Sequence, residues 1–189
     1  MKQILISIKP KWVAKILSGE KTLEIRKTAT KEWVDYLNGK TDKKPEPMIV
    51  NIYCTKGDYI GYVSKKYVGK VVARFTLNDV YAVYNEILVK QTGTKCYIAG
   101  RSIGTRGIYA KAILECSCLS YGELDAYLKG RIGYAWEIDN LEIFNEPKEL
   151  DRFDYPNPSG IVNVSQRSIK GLPNKKHPPQ SWCYVEELL

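Results

Sequence analysis

The first 26 residues change hydrophobic period twice. Ile4, Ile6 and Ile8 alternate with Leu5 and Ser7, the repeat of a strand with at least one buried face. Pro10 stops that strand and suits the first turn of a helix, where its missing N–H costs nothing. Trp12, Val13, Ile16 and Leu17 follow at helical spacing until Ser18-Gly19 supplies a C-terminal stop. After Gly19 the period returns to two, with Leu23 and Ile25 pointing one way and Thr22, Glu24 and Arg26 the other. The segment therefore predicts strand, helix, strand.

The polar stretch 28–47 holds a second helix over Lys31 to Leu37 and then a turn-like segment, Asn38 to Pro45. Met48 to Cys54 predicts a third strand, ended by Lys56-Gly57-Asp58, and Val71 to Leu77 a fourth, opened by Gly69-Lys70. Lys90 to Lys111 reads as an extended loop or hairpin. Ser120 and Glu123 form a capping box for a short helix whose apolar face is Leu124, Tyr127 and Leu128. Tyr134 to Ile138 and Leu141 to Phe144 read as strands on either side of Asp139-Asn140, a hairpin turn or a bulge. Pro147 to Arg152 reads as one helical turn, 154–180 as a long irregular loop and Trp182 to Val185 as the last strand.

Composition narrows the class. A 44% hydrophobic fraction with 14 Tyr, 4 Trp and 3 Phe can fill a core, which excludes a disordered chain, and 189 residues suit one domain. Apolar runs such as Ile4–Ile8 fall far short of the roughly 20 residues that span a bilayer, so no transmembrane helix and no membrane partner are expected. No secretory signal is legible, and a cytoplasmic protein is expected. Five cysteines at 54, 96, 116, 118 and 183, without a C-x-x-C pair, fit neither a disulfide framework nor a structural zinc site. Cys116, Cys118 and His177 are the one alternative metal set; buried thiols are the simpler reading, and neither metal nor cofactor is expected.

The net charge of +8 favours a polyanion partner, and its distribution sharpens that reading. Residues 1–31 carry eight basic and two acidic side chains. Residues 90–111 carry five basic (Lys90, Lys95, Arg101, Arg106, Lys111) and no acidic ones, whereas residues 115–151 carry three basic and nine acidic. A basic face fits this better than a diffuse bias.

Gly19-Glu20-Lys21-Thr22-Leu23-Glu24-Ile25-Arg26, a G-x-K-x-x-E-x-R pattern after an amphipathic helix, resembles the ASCH domain, a branch of the PUA-like superfamily. Ile6 to Pro10, Ile16 to Gly19, the Val50 to Cys54 strand ending in Thr55-Lys56, Gly69 to Val72 and Pro179 to Val185 resemble the versions found in bacteria and their phages. The resemblance implies an α+β fold: a small PUA-like β-barrel flanked by short helices, one domain over 1–189 with insertions at about 85–111 and 154–178. It further implies a cleft over the first helix and the motif strand, and links to RNA binding and, in some branches, hydrolysis.

The residues point the same way. Glu24 and Arg26 share a strand face that the aliphatic pair leaves to a solvent-accessible groove, with Lys21 at its mouth. A guanidinium there can hold a phosphate or a base edge by paired hydrogen bonds, and a carboxylate can accept from an exocyclic amine and orient the arginine. Lys9, Lys11 and the helix N-terminus at Pro10 add anion-binding features. Arg101 and Arg106 would grip the backbone, and Tyr53 and Trp182 would stack on bases. The plainer readings are an ordinary surface ion pair for Glu24 and Arg26, worth about 0–1 kcal/mol, a core role for Trp12, and a solvated loop for 90–111.

An RNA- or nucleotide-binding module is the function this favours, and a hydrolase is the alternative. In an ASCH branch that resembles an amidohydrolase on acylated cytidine, a Thr nucleophile partnered by the Lys stands two residues before the Arg. Here that position is Glu24, and a carboxylate does not replace a hydroxyl that must form and release an acyl ester. A ribonuclease would use Glu24 as base and Lys21 or a tyrosine as acid, with Arg26 on the phosphate. A host protein as partner is a third class that nothing in the sequence specifically favours.

Overall fold

A computed structural model of the chain describes residues 1–84, 97–98, 110–154 and 177–188. Its elements in chain order are β1 (Gln3–Ile8), α1 (Pro10–Leu17), β2 (Leu23–Arg26), α2 (Lys31–Leu37), β3 (Met48–Cys54), β4 (Val71–Leu77), β5 (Val80–Tyr84) and β6 (Tyr97–Ile98). They continue with α3 (Ala110–Ser117), α4 (Tyr121–Leu128), β7 (Gly133–Glu137), β8 (Asp139–Lys148), β9 (Phe153–Asp154) and β10 (Trp182–Glu187). Short 3-10 turns lie at Lys65–Tyr67 and Leu150–Arg152. The chain divides into two compact units, one of residues 1–17, 48–76 and 140–189, the other of 18–47 and 77–139.

The first unit is built on a six-stranded sheet in the order β8-β4-β3-β1-β10-β9. β1 runs parallel to β3, with Gln3 opposite Ile49 and Ile8 opposite Cys54, and antiparallel to β10. Ile4 to Ile8 are all buried, so the side chains on both faces of this central strand are covered. Leu5, Tyr53, Val71, Phe144, Phe153 and Val185 form one apolar cluster of this unit. On α1, Val13 and Ile16 are buried, as their helical spacing requires.

The second unit holds a four-stranded sheet in the order β2-β7-β5-β6, which makes the motif strand β2 an edge. Leu23 and Ile25 pack with Val83, Ala135, Ile113 of α3, and Leu124 and Leu128 of α4. The capping box of α4 forms, with Ser120 Oγ accepting from Glu123 N–H and the Glu123 carboxylate accepting from Ser120 N–H. Gly133 is required by packing: a Cβ there would lie 2.6 Å from Leu128 Cδ2, the residue that ends α4.

The mixed α+β class and most element boundaries match the sequence reading, and several features differ. The strands form two sheets, and no ladder among the described residues closes a barrel, so the small β-barrel is not seen as a closed ring. β7 ends at Glu137 and β8 begins at Asp139, and the two pair in different sheets, so Asp139-Asn140 is no hairpin turn; Asn140 has φ 46°. Lys111, read as the end of a basic loop, lies within α3; of the helical turn expected over Pro147 to Arg152, Pro147 and Lys148 belong to β8 and only Leu150–Arg152 form a 3-10 turn; and β5 has no counterpart in the sequence reading. Most of both proposed insertions lies outside the described residues. Among the described residues no helix is long and apolar enough to cross a membrane, and no group of three or more His, Cys, Asp or Glu could hold a metal ion.

Candidate functional site

Lys21, Glu24 and Arg26 converge in the second unit. Glu24 stands between two cations, with Oε2 3.2 Å from Lys21 Nζ and Oε1 3.1 Å from Arg26 Nε. Period two on β2 makes this possible: Leu23 and Ile25 enter the core, and Glu24 and Arg26 take the other face. Across the ladder Glu24 is opposite Trp136 and Arg26 opposite Tyr134, which gives the charged pair an aromatic neighbourhood.

The three residues are only 2%, 7% and 7% exposed. This excludes the ordinary surface ion pair and corrects the expectation of an open groove with Lys21 at its mouth. Lys21 Nζ instead donates to Leu23 O and to Ser117 O, each at 2.8 Å. Ser117 is the last residue of α3, whose final carbonyls lack partners within the helix and carry the negative end of its dipole. Thr22 N–H donates to Cys116 O at 2.8 Å, so the residues entering β2 cap α3 from outside it. The helix has no basic residue in its own last turn, and Lys21 supplies that charge from 96 positions away.

Ionic groups removed from water each carry a desolvation cost of several kcal/mol, offset only by close partners. Here one carboxylate faces two cations. The cluster sits on the edge strand β2. Tyr127, read from sequence as part of an apolar helix face, adjoins it. Burial pushes its phenol up; the Arg26 charge and a backbone hydrogen bond from Lys27 pull it down, and Glu24 pushes it up. Tyr127 is nonetheless 37% exposed, with Lys27 Nζ 4.8 Å from its ring centroid, so it presents an aromatic face beside the cluster. Its helical spacing with Leu124 and Leu128 hid that role.

The other expected site residues divide as follows. Lys9 is exposed, and its carbonyl accepts the first hydrogen bonds of α1, from Trp12 and Val13. Lys11 Nζ lies 4.4 Å from the ring centroid of half-buried Trp12. Trp182, half-buried, meets Tyr184 edge-on at 5.8 Å. Tyr53 is 2% exposed in the apolar cluster, which leaves it no face for stacking on bases along an open surface. All four of these expected site residues belong to the first unit. Arg101 and Arg106 lie outside the described residues.

No family model matches the sequence, and no curated protein matches it. Solved structures do. The crystal structure of ASCH from Zymomonas mobilis aligns over 98% of this chain and 88% of its own, with a TM-score of 0.53 at 16% identity. A serine-to-alanine variant of that protein aligns at 14% identity over 98% and 89%, and a tyrosine-to-phenylalanine variant at 16% over 98% and 91%, each with a TM-score of 0.53. The chain thus has the fold of these ASCH structures.

Proposed function

We propose that this chain, which has the ASCH fold, binds RNA or a nucleotide at the Lys21, Glu24 and Arg26 cluster of its motif strand. The observation that carries this reading is the buried cluster itself, in which two cationic side chains flank one carboxylate at 3.1–3.2 Å. Water-poor surroundings strengthen the attraction of such a site for an anion. Arg26 is the contact residue, because its planar fork suits a phosphate or a base edge. Glu24 orients Arg26, and Lys21 is a positioning residue that ties Glu24 to the end of α3. Tyr127 stacks on a base at the margin.

The net charge of +8 supports a polyanion partner in the same way. The experiment is a binding and turnover assay of the purified chain and of Glu24→Gln with single-stranded RNA and with acylated cytidine. The expected result is RNA binding without turnover by the wild type, weakened in the variant. Turnover of either substrate that Glu24→Gln abolishes would replace the binding module with the hydrolase of the same fold.

A further inference from the structure

Lys21, Glu24 and Arg26 are almost wholly buried, so the motif cluster can meet one group of a ligand but offers little surface to a chain of phosphates. A nucleic-acid backbone is held by exposed cations. The second unit brings three of them to the end of the motif strand. Arg26 pairs across the ladder with Tyr134, so the chain leaves β2 at Lys27 beside Gly133, the first residue of β7. Lys129 to Ile132, the link from α4 to β7, is exposed throughout. The packing of Gly133 on Leu128 fixes that link against α4. Tyr127 joins the two sides, with Lys27 Nζ 4.8 Å from its ring centroid and a backbone hydrogen bond from Lys27 to its phenol oxygen.

Residues 115–151 carry nine acidic side chains and three basic ones, and two of those three are Lys129 and Arg131. Both are exposed, as is Lys27, and among the described residues none of the three has an ion-pair partner. The neighbouring acids are held back from them: Glu24 is flanked by Lys21 and Arg26, and Asp125 is half-buried one turn before Lys129. Favourable charge at the end of α4 accounts for Lys129 but not for Arg131 or Lys27. Ile132, 45% exposed, and Tyr127 add apolar surface beside these cations. Cations that track a backbone, with rings and apolar faces that meet bases, are the parts of a single-strand site.

We infer that the ligand is a polynucleotide strand and not a free nucleotide, with Lys27, Lys129 and Arg131 holding its phosphates while one base or phosphate reaches Arg26. Contacts to phosphate add affinity and salt dependence without reading sequence. The inference rests on the reading of the motif cluster as an RNA site and adds to it the path of the strand.

Fluorescence anisotropy with short oligouridylate and oligoadenylate, read from about 50 to 200 mM salt, tests it. The proteins are the full chain, the double variant Lys129→Gln and Arg131→Gln, Arg131→Gln alone, and the double variant Lys65→Gln and Lys66→Gln, each first shown to be folded by circular dichroism. Losing two phosphate contacts should make the slope of log affinity against log salt shallower by about 1.4 and weaken both oligonucleotides about tenfold. Arg131→Gln alone should give about half that change in slope, and its exposed side chain carries the test if the double variant does not fold. Lys65 and Lys66, exposed in the first unit, remove the same charge elsewhere, and their variant should keep the wild-type slope. An unchanged slope in the Arg131 variants, an equal change in the Lys65 and Lys66 variant, or a loss confined to one oligonucleotide would overturn the strand path and leave the motif site standing. No RNA binding by the wild type would overturn both.

Discussion

Glu24 Oε1 and Arg26 Nε stand 3.1 Å apart on an edge strand, with side chains only 9% and 8% exposed. A pair two residues apart on a strand shares a face by geometry alone; what makes this one unusual is that it is buried together with a second cation. Removing one partner from such a cluster leaves the others unpaired, which costs more than the pair contributes on balance.

Lys21 is the member whose loss should be felt in stability. Lys21→Met keeps the length of the side chain but leaves Leu23 O and Ser117 O without their donor and Glu24 with one cation. A loss of about 3–5 kcal/mol is expected from urea denaturation, the range for breaking a buried charge pair. A loss below about 1 kcal/mol would show that Lys21 is not holding the end of α3.

How far the sequence reveals this site depends on how local each contact is. β3, β4 and α2 have the bounds their patterns predict, because alternation and helical spacing are local properties. The Ser120 and Glu123 box is legible for the same reason. The burial of Lys21 is not. A lysine just past a glycine stop reads as the mouth of a groove, and the end of α3, far along the chain, supplies one of the two carbonyls that make a buried ammonium tolerable. α3 itself is not legible, because Lys111 belongs by composition to the basic run before it. The bend at Asn140 shows the same limit, since which sheet a strand joins is set by non-local pairing.

Alkaline pH should weaken the fold. Burial pushes the Cys54 thiol up from its ordinary value of 9.0 to about 11, so in this range the unfolded chain loses its proton first. The stabilising effect of the neutral thiol is complete below about pH 9 and is lost as the pH rises toward 11. Tyr53 and Tyr127, also raised by burial, act in the same direction. Melting temperatures measured from pH 8 to 11 should fall more steeply for the wild type than for Cys54→Ala. Parallel curves would contradict the assignment.

Tyr127 separates a stacking surface from a packing residue. Tyr127→Ala should reduce affinity for single-stranded RNA about tenfold, in keeping with base stacking on an aromatic ring, while Tyr127→Phe retains most of it. Fluorescence anisotropy with a labelled oligonucleotide reads both. Equal affinity of Tyr127→Ala and the wild type would remove Tyr127 from the site.

Ser120 provides an independent check on the fold around the cluster. Ser120→Ala removes the acceptor for Glu123 N–H and should lower stability by about 1 kcal/mol, with RNA affinity unchanged. A thermal melt together with the same anisotropy assay decides it. A loss of RNA affinity at unchanged stability would place the start of α4 in the binding surface.

The most direct test of the motif cluster is the salt dependence of RNA binding by the wild type and Arg26→Lys, each first shown to be folded by circular dichroism. The lysine keeps the charge beside Glu24 but loses the planar fork. Wild-type affinity should fall steeply between about 50 and 200 mM salt, and Arg26→Lys should bind about tenfold more weakly at each salt concentration. Binding insensitive to salt, or a folded Arg26→Lys protein that binds as tightly as the wild type, would contradict the account.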